Sequence, residues 1–357
     1  GLFQDRPSEE YLHFRRKQDQ ERLVAFEMGV KDGNIEMPRG VIAGQKLDFE
    51  LKKLALPVSH INNFDRLPIP FRAVAADLGT GEAVVFDSGS LSDAIRASIS
   101  IPGVFPPVEH DGRILVDGGI VNNVPVEVAK EMGADVIIAV DVGSPLGDPK
   151  EIKSMIGVAM QMIGILGKRN VDESLALLTD KDILITPDLG DIRTESFVKV
   201  LDAADAGQKA ASKHVDEIKR YSVSDEEFER FLSKQRKYKT ETVKVDFIKV
   251  ANSGRAHPES IARRIKTKPG ETLDYDKLQK DLTRVYAIGD FETVNFSVVK
   301  EDDGETGLLI NAKEKPWGPN YLYWGLNLSS GVKGDSEYTL LMDYRMTQLN
   351  KLGAEWR

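Results

Sequence analysis

Residues 113–125 read RILVDGGIVNNVP and indicate the class of fold most clearly. Residues 113–116 predict a strand, Asp117-Gly118-Gly119 predicts a turn, and Pro125 suits the first turn of a helix. Open α/β sheets bind ligands just beyond the carboxyl ends of strands, where Asp117 stands. Gly118 and Gly119 lack side chains, so backbone there can approach a substrate closely. Asp-Gly-Gly alone is most often an ordinary turn, and the neighbouring segments must therefore decide its meaning.

Strands and helices alternate on both sides of this stretch. Residues 71–76 and 83–86 flank Gly79-Thr80-Gly81, which predicts a hairpin. Ser92 begins a short helix that ends near Ile101, because Pro102 disfavours helical geometry before it. Further strands are predicted at 136–140 and 183–185, and further helices at 8–24, 125–132, from about 151, and at 203–221. The alternation predicts an α/β fold with a mainly parallel sheet and flanking helices.

The pattern changes after residue 221. Residues 222–239 are densely charged and predict a linker with helical character. The next segment predicts a small α+β unit of order β-α-α-β-β, with strands at 243–248, 294–299 and 307–312 and helices at 258–265 and 275–286. From Tyr321, apolar and polar residues alternate strictly in two successive runs, which is typical of the wall of a transmembrane β-barrel.

Composition excludes several classes of function. The net charge of −9 in 357 residues argues against nucleic-acid binding, which needs a local basic excess. The absence of cysteine excludes disulfides, thiolate metal sites and a cysteine nucleophile. The histidines are scattered (His13, His60, His110, His214 and His257), so we expect neither a metal nor a cofactor.

Three segments in succession carry a family resemblance: AADLGTGE (75–82), RASISIPGVFPP (96–107) and VDGGIVNNVP (116–125). Together they resemble the second half of the patatin-like phospholipase domain, and the resemblance covers most of residues 1–220. It implies a serine–aspartate dyad that hydrolyses phospholipids or other lipid esters at a membrane surface. A serine in G-x-S-x-G would attack the ester, and Asp117 would accept its proton.

The nucleophile is missing from this sequence, because G-x-S-x-G does not occur in it and neither does a glycine-rich oxyanion loop. We expect both to precede Gly1, in a longer protein that is cut at both ends here, and we expect this chain to lack esterase activity. Ser98 and Ser100 are weak substitutes, since a nucleophile needs a strained, exposed turn. The Asn122-Asn123 pair either positions the active-site loop or, as we favour, caps the next helix.

Residues 240–315 resemble a POTRA domain, and Tyr286–Val294 resembles the helix-to-strand passage of that module. We therefore divide the chain into a patatin-like part (1–221), a linker (222–239), a POTRA domain (240–315) and the first barrel strands (316–357). The combination resembles bacterial patatin-like autotransporters of the outer membrane. It implies a POTRA domain in the periplasm and a hydrolase at the cell surface or secreted, with periplasmic chaperones or barrel-assembly machinery as partners. The alternative is a translocation or assembly protein whose passenger is inactive.

The segment Met155–Gly167 is apolar nearly all round. It predicts either a buried helix or a homodimer interface, or else an element that faces lipid near the active site.

Overall fold

The structure is a computed structural model that describes residues 25–357 except 41, 144–145, 147–149, 151, 153–154, 193–195, 236–242, 253 and 331–335. The helix predicted over residues 8–24 lies outside the described residues. The chain folds into two compact units. Of the described residues, the central unit comprises those of His60–Pro102 and Pro107–Lys239, and the composite unit comprises those of 25–59, Gly103–Pro106 and Thr240–Arg357.

The described strands are, in chain order, β1 (Ala25–Lys31), β2 (Asn34–Glu36), β3 (Ala73–Asp77), β4 (Ala83–Phe86), β5 (Val108–His110), β6 (Arg113–Asp117), β7 (Ile138–Val140), β8 (Ile183–Ile185), β9 (Phe247–Asn252), β10 (Phe291–Lys300), β11 (Thr306–Glu314), β12 (Asn320–Ser330) and β13 (Ser336–Met346). The described helices are α1 (Gln45–Ala55), α2 (Leu91–Ser98), α3 (Val126–Glu131), α4 (Met155–Leu175), α5 (Val200–Ser212), α6 (Val215–Lys219), α7 (Asp225–Gln235), α8 (Pro258–Ala262) and α9 (Tyr275–Tyr286).

The central unit contains a sheet of order β4-β3-β6-β5 and a separate pair, β7 and β8. The predicted hairpin is confirmed as β3 and β4. All neighbours in the four-stranded sheet are antiparallel, whereas β7 and β8 are parallel. The expectation of a mainly parallel sheet is therefore not confirmed. The physical reason is that strand–helix alternation does not fix strand direction, and β3 and β6 pair antiparallel across the intervening α2.

The helix ends of the central unit follow from local capping. The hydroxyl of Ser90 accepts a hydrogen bond from the Asp93 N–H, so Ser90 is the N-cap and α2 begins at Leu91, one residue before the predicted Ser92. Pro125 stands at the N-cap of α3, and Gly133 follows its end at a φ of 85°. The helix predicted at 203–221 is divided into α5 and α6, and the charged 222–239 segment contains α7.

The composite unit contains the predicted β-α-α-β-β order as β9, α8, α9, β10 and β11. Its sheet has the order β10-β11-β9, with β9 and β11 parallel. Helix α9 spans the predicted residues 275–286, because Asp274 caps its first turn. The first strand begins at Phe247, four residues later than predicted. Buried side chains of these elements form one core, which includes Ile261, Leu282 and Phe296.

Helix α1 packs into this same core, which the sequence did not indicate. Phe49 is 3% exposed and belongs to the core cluster. The Gln45 side chain donates to the carbonyl of Val294 at 2.8 Å and accepts from its N–H at 2.7 Å. A backbone position of β10 thus has both of its polar groups satisfied by one side chain of α1.

A second sheet of the composite unit has the order β13-β12-β1-β2. Its faces differ in the way that the alternating sequence predicts: Trp324, Leu340 and Met342 are exposed, while Arg345 on the other face is buried. The barrel predicted from residue 316 stays a proposal, because the described strands form an open sheet. The division at residues 221, 239 and 315 also stays a prediction. No helix in the described part of the chain is long and apolar enough to cross a bilayer.

Candidate active site

Asp117 lies at the end of β6, in the middle of the antiparallel sheet of the central unit. It pairs with Ala75 of β3, a strand whose residues are all buried. Leu115 and Val116, which precede it, are also buried. Its own N–H donates to the carbonyl of Ser100 at 3.0 Å. The backbone that carries the carboxylate is therefore fixed by the core of the sheet.

The turn after Asp117 is held by the aspartate itself. Its Oδ1 accepts a hydrogen bond from the Gly119 N–H at 2.8 Å, and Gly118–Ile120 form a single 3₁₀ turn. A Cβ on Gly118 would lie 2.2 Å from the carbonyl oxygen of Val74. Gly118 is therefore required by the close approach of two backbone segments rather than by an unusual φ.

Helix α4 supports the turn from a second direction. The side chain of Asn170 donates to the carbonyl of Ile120 at 2.6 Å. A Cβ on Gly167 would lie 3.0 Å from the carbonyl oxygen of Gly119, so the helix passes close to the turn. Sequence reasoning missed both residues. The one signal in the sequence was a glycine within an otherwise apolar helical stretch.

Asn122 connects the turn to two helices instead of capping one. Its amide donates to the carboxylate of Glu127 in α3, and Ser174 of α4 lies 3.5 Å from its Oδ1. Helix α3 has Pro125 at the N-cap and no side-chain cap. The favoured capping role is therefore wrong for Asn122. The loop-positioning alternative fits the observed contacts.

The electrostatics of Asp117 suit proton transfer. Burial raises the pKa of its carboxyl above the ordinary value of 3.8, and the hydrogen bond from the Gly119 N–H opposes part of that rise. Within the described residues, no other protein group donates to this carboxylate, so Oδ2 is open to an incoming proton. A partly desolvated carboxylate with a raised pKa is a better base than one in water.

Two regions of the chain match models of known protein families. Residues 20–130 match the model of patatin-like phospholipase, and residues 243–315 match the POTRA model, described as a surface antigen variable number repeat. The chain carries a patatin-like domain and a POTRA domain. The patatin match includes Asp117, and it also includes β1 and α1, which lie in the composite unit.

The curated relatives match the patatin-like region. Uncharacterized NTE family proteins of Mycobacterium bovis and Mycobacterium tuberculosis are each 42% identical over 113 residues, which is 31% of this chain and 30% of theirs. Patatin-like phospholipase domain-containing protein 7 of Mus musculus is 45% identical over 78 residues, or 21% of this chain and 6% of its own. The chain thus spans under a third of the length of these relatives.

Among solved structures, a fragment comprising POTRA1–3 of the periplasmic domain of Omp85 from Anabaena covers 66% of this chain and 84% of its own. Its sequence identity is 15% and its TM-score is 0.19, and these values are too low to indicate a shared fold.

The hydroxyl groups of Ser98 and Ser100, the two substitute nucleophiles considered from the sequence, make no contact with the Asp117 carboxylate in the described structure. Ser100 is fully buried, and its hydroxyl donates to the Arg96 carbonyl while accepting from the Arg96 guanidinium. No contact brings Ser98 to the carboxylate in the described structure. In the same residues no three His, Cys, Asp or Glu side chains are grouped as metal ligands.

Helix α4, which contains the apolar Met155–Gly167 segment, exposes a stripe of apolar side chains on the central unit. Val158, Met162, Ile165 and Leu166 are each at least 50% exposed. The side chains of Met155 and Met160 lie outside the described residues. The interpretation of a fully buried helix is wrong for this stripe, and the homodimer and lipid-facing interpretations stay predictions.

Proposed function

We propose that the chain is part of a lipid acyl hydrolase in which Asp117 is the general base of a serine–aspartate dyad. The observation that carries the proposal is the Asp117 carboxylate itself. It has one oxygen fixed by the Gly119 N–H, a second oxygen without a protein donor among the described residues, and a raised pKa.

The reaction follows from these properties. The serine Oγ attacks the ester carbonyl while Asp117 Oδ2 takes the hydroxyl proton. The ester C–O bond then breaks, and the proton passes to the leaving alcohol. A water attacks the acyl-enzyme with Asp117 again as base, which releases the fatty acid and restores the serine. Gly118 and Gly119 add no side chains of their own beside the carboxylate.

The proposal requires a serine that these residues do not supply in G-x-S-x-G form. The test is labelling by a fluorophosphonate, which reacts covalently with activated serines. We expect the full reading frame to be labelled at one serine in G-x-S-x-G, and Asp117→Asn to abolish that labelling. We expect the 357-residue chain to remain unlabelled. Labelling of this shorter chain at another serine would contradict the assignment.

For location, we propose a bacterial outer-membrane protein whose POTRA domain lies in the periplasm and whose hydrolase is displayed or secreted. The POTRA match and the exposed apolar face of β12 and β13 support this proposal. Periplasmic chaperones or the barrel-assembly machinery are then the expected partners, and phospholipid the expected substrate. Protease treatment of intact cells should remove the hydrolase and spare the POTRA domain. Protection of both, or loss of both, would contradict this topology.

The second candidate is a translocation or assembly protein with an inactive patatin-like passenger, which the POTRA match over residues 243–315 favours. The complete gene decides between the two. A reading frame without G-x-S-x-G and a glycine-rich loop supports the inactive passenger, and one with both supports the hydrolase.

A further inference from the structure

Strand β1 is held on the edge of β12 by a polar cluster around Glu27. Its Oε1 accepts from the Lys315 ammonium and from the Trp317 indole N–H, the latter at 2.9 Å. Its Oε2 accepts from the Tyr323 hydroxyl at 2.8 Å. The side chains of Glu27 and Lys315 are each 13% exposed. Three donors therefore converge on one largely buried carboxylate.

The Glu27 carboxylate and its three donors stabilise one another. Burial alone would raise the pKa of Glu27, but the charge of Lys315 and the hydrogen bonds of the cluster outweigh burial and lower the pKa to about 2. The carboxylate is therefore ionised at neutral pH. If β1 were absent, the Lys315 ammonium and two further donors would face a vacated position, which is costly for a buried charge. The cluster is thus a built site for an anion.

A second requirement comes from Gly29, on the same face of β1 as Glu27 because alternate strand residues share a face. A Cβ at this position would lie 1.7 Å from the carbonyl oxygen of Trp317. Only a residue without a side chain lets β1 lie this close to the turn that precedes β12. The face of β1 that contacts this turn therefore requires a glutamate at position 27 and a glycine at position 29.

The two requirements fix the register. Residues 25–30 pair antiparallel with residues 325–320, and Glu27 stands opposite Tyr323. Main-chain hydrogen bonds between strands carry no sequence information, so a strand could slide along an edge that lacked side-chain contacts. The carboxylate cluster and the close approach at Gly29 each allow one register only.

We propose that the edge of β12, together with residues 315–317, is a strand-docking site for an extended segment of sequence Glu-x-Gly. Its occupant is this chain's own Ala25–Lys31. The site is separate from the sheet of the POTRA domain, whose edge strands are β9 and β10. The inference does not rest on the hydrolase proposal. It means that a segment within the patatin-like match is held by sequence-specific strand addition in the composite unit.

The test uses disulfide trapping, for which the cysteine-free chain is a clean background. Met28 and Leu322 are paired and lie on the strand face opposite Glu27. The variant Met28→Cys/Leu322→Cys should form an intrachain disulfide on mild oxidation, because paired strand residues satisfy disulfide geometry. The control Val30→Cys/Trp324→Cys is offset by four strand positions, about 13 Å, and should not form one. A disulfide between two chains would overturn the intrachain occupant.

The carboxylate is tested in the same background. Glu27→Gln should slow disulfide formation at least about tenfold, because it replaces the carboxylate that binds the largely buried Lys315 ammonium with a neutral amide. Glu36→Gln, an exposed carboxylate on β2, should leave the rate unchanged. An unchanged rate in Glu27→Gln would overturn the proposal.

A double variant separates loss of the ion pair from loss of the fold. Glu27→Gln/Lys315→Gln removes both charges, so it should form the disulfide faster than Glu27→Gln alone. A double variant that is no faster would show that general unfolding, rather than loss of the Glu27–Lys315 ion pair, slowed the reaction. That result would also overturn the proposal.

Discussion

Replacing Asp117 by Asn and by Ala should separate the cost of its charge from the benefit of its hydrogen bond. Burial raises the pKa of Asp117, so the folded state disfavours the ionised carboxylate. Asn removes the charge but keeps an oxygen that can accept from the Gly119 N–H, which Asp117 now binds at 2.8 Å. Ala removes both. We therefore expect the stability order Asn above Asp, with Ala below Asn.

The magnitudes follow from each interaction. Loss of a capping acceptor of this kind costs about 1 kcal/mol, which is the expected difference between Asn and Ala. Removal of the buried charge should stabilise the Asn variant by up to about 2 kcal/mol. For a domain of this size, about 1 kcal/mol corresponds to roughly 2–4 °C in Tm. Asp180→Asn, at an exposed position of the same unit, should change stability by less than about 0.5 kcal/mol.

The assay is thermal unfolding followed by circular dichroism at several pH values. An aspartate with a raised pKa stabilises the fold only while it is protonated, and that contribution is lost as pH rises through the folded pKa. The advantage of Asn over the parent should therefore grow between acid and neutral pH. If Asp117→Asn proves less stable than the parent at neutral pH, the carboxylate has a favourable charge partner and the reasoning fails.

Three further predictions test the supports of the site. Gly118→Ala should destabilise the chain by about 1–3 kcal/mol, since its Cβ would lie 2.2 Å from a backbone oxygen. The control is Gly207→Ala, in open space within α5, which should stabilise the chain by about 0.5–1 kcal/mol. Denaturant unfolding measures the free energy of unfolding of both variants. Asn170→Ala should cost about 1 kcal/mol and should lower kcat more than it raises KM in the full protein; unchanged kinetics would leave the contact purely structural. The acid limb of kcat/KM should have its midpoint above 3.8, the ordinary value for an aspartate, because burial raises the pKa of Asp117; a midpoint at or below 3.8 would exclude Asp117 as the titrating base.

Local signals in the sequence predicted much of the fold. The glycines at 79 and 81 mark the β3–β4 turn, and Asp274 marks the start of α9, because each acts within a few residues of the chain. The turn at Asp117 was found for the same reason. The antiparallel direction of the strands in the central sheet was not predicted. The pattern of apolar and polar residues in a strand indicates which face is buried, but it does not indicate whether neighbouring strands are parallel or antiparallel.

Contacts between distant segments were also beyond the sequence. Asn170 reaches the turn after Asp117 across 50 residues, and Glu27 meets Lys315 across 288. An asparagine or a glutamate in the sequence does not indicate a distant hydrogen-bond partner, because both residue types are common on exposed surfaces. The packing of α1 on β10 through Gln45 has the same origin. Such contacts depend on three-dimensional proximity, for which a single sequence contains no local pattern.

We propose above all that Asp117 is the general base of a lipid hydrolase. The most direct measurement is kcat/KM for a phospholipid or lysophospholipid in the full-length protein, with and without Asp117→Asn. If Asp117 is the base, kcat/KM should fall by about 10²–10⁴-fold in a variant that remains folded and at least as stable as the parent. A folded Asp117→Asn protein that retains activity within a few-fold of the parent would contradict it.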